Sequence, residues 1–74
     1  MRDPRRGDSC RRTFPVPMSG GRVRLEQMVG VVTDYHNGCI SVRVLEIDGD
    51  PPKKRDREYM DSYPDIWDGD WLND

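Results

Sequence analysis

Long apolar runs are the first thing this chain lacks. Nothing approaches the roughly 20 consecutive apolar residues of a membrane-spanning helix, and no apolar segment follows Met1 as it would in a secretory signal. The expected setting is the cytoplasm or the interior of a virion, with reduced thiols. Cysteine and histidine are also scarce, with only Cys10, Cys39 and His36. A structural zinc site takes four ligands, so no metal site is expected. His36 and Cys39 have no obvious orienting group to make them a nucleophilic pair, and they read as a turn histidine beside a small thiol. No glycine-rich phosphate loop opens a helix; Gly20-Gly21 does not. The carboxylates are many, but nothing in their spacing pairs them as acid and base. No cofactor and no enzymatic activity are expected. Only 34% of the residues are hydrophobic against 35% charged, so the 74-residue chain is one small domain at most.

What the chain does have is a strong hairpin signal. Val23 to Asp48 holds two apolar-rich runs joined by Asn37-Gly38. That dipeptide suits a type I′ turn, which needs positive φ at both central residues. With a two-residue loop, facing positions sum to 75, setting Tyr35 against Ile40, Thr33 against Val42, and Val31 against Val44. In this register the apolar face switches sides partway along, as in a strongly coiled ribbon, with Gly30 as the expected bend. The run from Val29 to Val44 resembles one hairpin of an SH3-type small barrel. The expected fold is mainly β: a small curled antiparallel sheet, SH3-like or OB-like, or an extended hairpin. The hairpin alone cannot bury enough apolar surface to stand, so it needs further strands, the tail aromatics or a partner chain.

Charge is segregated along the chain. Residues 1–24 hold seven arginines and two aspartates, while Glu58 to Asp74 holds six acids and no basic residue. Composition divides the chain into a flexible basic arm (1–22), a small β module (23–57) and an acidic aromatic tail (58–74). Within the arm, Thr13-Phe14-Pro15-Val16-Pro17-Met18 is an apolar island whose alternating prolines exclude a central strand and favour an extended edge or a polyproline-like segment laid over a core. Arg6-Gly7-Asp8 spells an adhesion tripeptide, but adhesive use needs a constrained extracellular loop. Asp48-Gly49-Asp50-Pro51-Pro52 ends the second strand. In the tail, Tyr59, Tyr63, Trp67 and Trp71 recur every four residues, and a short helix from Pro64 to Leu72 is expected, weakened by Gly69.

Two features carry functional expectations. Large apolar anchors kept apart by acids stay soluble yet offer binding hot spots. Tyr63, Asp65, Ile66, Trp67, Asp68, Asp70 and Trp71 are therefore the candidate partner-binding residues, docking on a larger protein or assembly through a basic-rimmed apolar groove. The competing expectation is that Trp67 and Trp71 close the protein's own core, and a homo-oligomer exchanging tails would combine both. The alternative is nucleic-acid contact by Arg5, Arg6, Arg11, Arg12, Arg22 and Arg24, whose guanidinium groups suit phosphate. A further alternative is an acidic tail that mimics a phosphate backbone.

Overall fold

The computed structural model describes residues 1–73, with the backbone alone described at Met60. Asp74, the last acid of the tail, lies outside the described residues. The fold is mainly β. One open antiparallel sheet is built from β1 (Ser9–Pro17), β2 (Val23–His36), β3 (Cys39–Ile47), β4 (Glu58–Ser62) and β5 (Asp68–Gly69). Its order is β4-β3-β2-β1-β5, so the chain meanders through four strands and then returns to pair β5 with β1. Among the described residues no helix is long and apolar enough to cross a membrane.

The β2–β3 turn has positive φ at both Asn37 (52°) and Gly38 (76°), as the dipeptide requires. The register sums to 75 at the turn, where His36 faces Cys39, and again at the open end, where Met28 faces Ile47. Between them it sums to 74: Val32 faces Val42, and Gly30 faces Val44. Thr33 is thus an extra residue on β2 and Leu45 an extra residue on β3. These two bulges correct the expected middle pairs of Thr33 with Val42 and Val31 with Val44. They also account for the apparent switch of faces, because each skipped residue inverts the alternation. One inner face results, running Tyr35/Ile40, Val32/Val42, Gly30/Val44, Met28/Ile47. Gly30 lies on it because a Cβ there would meet a Val42 methyl, and Arg43 O at 2.8 Å. Asp48-Gly49 forms a second positive-φ turn, with Ile47 and Asp50 exchanging backbone hydrogen bonds, before Pro51 ends the pairing.

Residues 1–22 differ most from expectation. Instead of a mobile arm, Ser9–Pro17 is a strand paired with β2 over its whole length. The prolines permit this through parity. Met18 N–H donates to Arg22 O, and Val32 N–H donates to Asp8 O. Even-numbered residues therefore carry the β1–β2 hydrogen bonds, and the missing donors of Pro15 and Pro17 fall on the other edge. The residues before β1 are tied down as well. Arg2 donates through both terminal nitrogens to the buried Asp8 carboxylate, at 2.8 and 2.9 Å, and Gly7 N–H donates to Val32 O. Asp8 is held inside this network, so Arg6-Gly7-Asp8 is a structural corner.

The expected helix over Pro64–Leu72 is likewise replaced. Pro64–Ile66 and Asp70–Asn73 are single 3₁₀ turns with the two-residue β5 between them. Gly69 is what allows it: a Cβ there would overlap the Trp71 ring, so the indole lies flat on the β5 backbone. The core comprises Cys10, Met28, Val32, Ile40, Val42, Val44, Trp67 and Trp71, with Phe14, Tyr35, Ile47 and Tyr59 packed against it. The three compositional segments therefore contribute to one core and do not pack separately.

Candidate functional site

The tail residues divide cleanly by burial. Trp67 and Trp71 are only 2% and 3% exposed, whereas Tyr63 is 66% exposed and Ile66 and Leu72 are also open to solvent. Tyr63 caps the first 3₁₀ turn and Ile66 ends it, both outward, while Trp67 follows that turn and Trp71 lies inside the second, beside the exposed Leu72. Trp67 Nε1–H donates to Ser62 Oγ at 2.8 Å, satisfying its one polar atom, and its ring meets Tyr59 edge to face at 6.1 Å. The Arg12 guanidinium lies 5.6 Å from the Trp67 ring centroid and 5.8 Å from that of Phe14, stacked between them. This corrects the expectation that Trp67 and Trp71 anchor a partner. The hairpin is short of apolar area, and both indoles supply it.

A groove of about 350 Å³ opens at the first 3₁₀ turn, with Leu72 in its lining and Tyr63 and Ile66 flanking its Pro64 and Asp65 in the chain. Its apolar lining is Pro4, Tyr35, Pro64, Trp67, Trp71 and Leu72. The chain ends are joined here, with Arg2 N–H donating to Trp71 O at 3.1 Å. Sequence reasoning did not place residues 1–4 at this groove. The signal for it was Asp8, an acid three residues past Arg5 that both accepts the Arg5 N–H and pairs with Arg2, folding the segment back.

The three acids of the candidate set have different tasks. Asp65 is exposed on the first 3₁₀ turn, in the groove wall and without an ion pair among the described residues. Asp68 lies 3.6 Å from Arg11 in a solvent-exposed pair, worth at most about 1 kcal/mol. Asp70 accepts the Ser9 N–H at 2.9 Å and so holds the start of β1. Of the expected site residues, Tyr63, Asp65 and Ile66 share one exposed turn, Trp67 and Trp71 lie in the core, and Asp68 and Asp70 serve the β1–β5 junction.

The arginines of the alternative reading are dispersed. Arg6 Nε donates to Thr33 O, Arg24 pairs with Glu26 and Asp48, and Arg12 is stacked as described. Arg5 and Arg22 are exposed and form no ion pair among the described residues. Elsewhere, His36 Nδ1 lies 2.8 Å from Asp34 and Nε2 lies 3.6 Å from Asp61. No three His, Cys, Asp or Glu among the described residues are placed to hold a metal ion. Burial pushes the Cys10 thiol up to about 12, helped by the carboxylates of Asp70 and Asp8, so it is a packing group rather than a nucleophile. No protein-family model, curated protein or solved structure matches the chain.

Proposed function

We propose that the chain is a non-enzymatic protein-interaction module of SH3-type small-barrel shape, which docks on a larger protein or assembly. The shape is supported by the strand order, in which the fifth strand returns past a 3₁₀ turn to pair with the first. One observation carries the docking. Leu72 in the lining of an apolar groove stays exposed, as do Tyr63 and Ile66 on either side of the groove's Pro64 and Asp65 in the chain, while the chain's two tryptophans are spent on its core. A chain this poor in apolar residues leaves such a cluster unburied only at some cost in solubility, as binding surfaces do. Asp65 and the neighbouring acids would select a partner with a basic rim around an apolar surface.

Nucleic-acid contact through Arg5, Arg6, Arg11, Arg12, Arg22 and Arg24 has less support, because four of the six are occupied by groups of the same chain. The test is to replace Tyr63, Ile66 and Leu72 together with serine and compare the proteins each form retains from its native source. The variant should stay folded and lose at least tenfold in affinity for the retained partner. Identical retention by both forms would overturn the reading.

A further inference from the structure

The two edges of the β1–β2 hairpin are built differently beyond the rest of the sheet. β2 has fourteen residues, but β3 accompanies it only as far as Met28. The last link on that side is at Gln27, whose N–H donates to Asp48 Oδ1 and whose carbonyl accepts the Asp48 N–H, both at 2.8 Å. From Glu26 back to Val23 that edge has no strand beside it among the described residues. The even-numbered residues of β2 bond to β1, so the N–H and C=O groups of Val23 and Leu25 point into this open edge. Their side chains are 64% and 66% exposed. On the opposite edge, beyond the reach of β5, Pro15 and Pro17 remove the donors that a further strand would need. One edge is closed to strand addition and the other presents the N–H and C=O of two residues, Val23 and Leu25, between apolar side chains.

We propose that this open edge pairs with the same edge of a second copy of the chain, antiparallel about a two-fold axis through Arg24. Only this register uses all four groups. Val23 and the second copy's Leu25 exchange two hydrogen bonds, and the symmetric pair exchanges two more. The four exposed apolar side chains then lie together on one face of a sheet that runs from β1 and β2 of one copy into β2 and β1 of the other. The charges agree with it. Arg22, exposed and without an ion pair among the described residues, comes opposite Glu26 of the other copy. The two central arginines approach each other with Glu26 and Asp48 already paired to each. A shift by two residues one way sets Gln27, already committed to Asp48, into the pairing, and the other way sets Gly21 of the positive-φ tip turn against Leu25.

Sedimentation equilibrium of the full chain, together with amide hydrogen exchange at Val23 and Leu25, tests this. The expected result is a dimer that forms with rising concentration and slows exchange of those two amides, but not of the tip amide of Gly20. Leu25→Pro removes a donor from the open edge without touching a bond to β1, and should weaken the dimer at least tenfold. Leu25→Lys, which keeps the backbone donor and sets like charges together, should do the same. A chain that stays monomeric at millimolar concentration overturns the proposal, as does a dimer indifferent to both variants. So does protection of Val23 and Leu25 that appears only when a different protein is added, which would assign the edge to a heterologous strand.

Discussion

At its base the β1–β2 hairpin is held from every side. Cys10 and Met28 are buried, β5 covers one edge, β3 covers the other, and Trp67 and Trp71 fill the space beneath. At its tip the same two strands, in the same register, have water on both edges and on the face that carries Val23 and Leu25. The molecule measures 42 × 24 × 21 Å, and a fourteen-residue strand at roughly 3.3 Å per residue accounts for the long axis. Hydrogen bonding between the strands is alike at both ends, so it does not explain why one end is core and the other is a projection. The indoles do. A ladder becomes a stable domain only where something large and apolar closes over it.

The sharpest way to break the comparison is Trp71→Ala, which leaves a void over Gly69 at the base and should lower stability by about 3–5 kcal/mol. Urea unfolding followed by circular dichroism would measure it. Next is Gly30→Ala, where the new Cβ meets a Val42 methyl and the Arg43 carbonyl, at an expected cost of about 1–3 kcal/mol.

Asp8→Asn comes third and carries a pH signature. The Arg2 guanidinium bonded to Asp8 holds its carboxyl below the ordinary carboxylate value, against burial, which pushes the other way. A carboxyl more acidic in the folded chain contributes stability that is complete above its unfolded pKa of about 4, and is lost as pH falls through the folded value. At pH 7 the variant should be less stable by about 1–3 kcal/mol, and the gap should close on acidification below about pH 4. The smallest effect is expected at the tip. Leu25→Ser should change monomer stability by no more than about 0.5 kcal/mol, so a loss comparable to that of Trp71→Ala would mean that the tip is buried after all.

How much of this was legible in the residues follows from the range of the interactions concerned. The Asn37-Gly38 turn and the pairs beside it are local and were readable. The bulges at Thr33 and Leu45 were visible only as a switch of faces, because nothing in the residue types says where a ladder skips. Of β1, the Thr13–Pro17 half was readable as an extended edge, whereas Ser9–Arg12 reads as mobile arm because arginines without periodicity argue against a strand until the partner β2 is known. The tail gave its aromatics but not their allocation. Tyr63 and Trp67 have the same spacing as Trp67 and Trp71, yet only the return of β5 to β1 decides which rings face inward. Pro64 marked the start of the turn correctly, while Gly69, read as a helix weakener, is the seat of Trp71.

The pairing of β5 with β1 also has a consequence in time. It joins Cys10 to Gly69, near opposite ends of the chain, so its closure entropy is the largest of the strand pairings. The β2–β3 and β1–β2 ladders close short loops, and all of their residues leave a ribosome before residues 67–71 do. Until those residues arrive, the inner face of the sheet has no lid. Tryptophan fluorescence and far-ultraviolet dichroism should therefore report different moments of folding: the dichroism follows the strands, and the two indoles record the instant the last segment shuts over them.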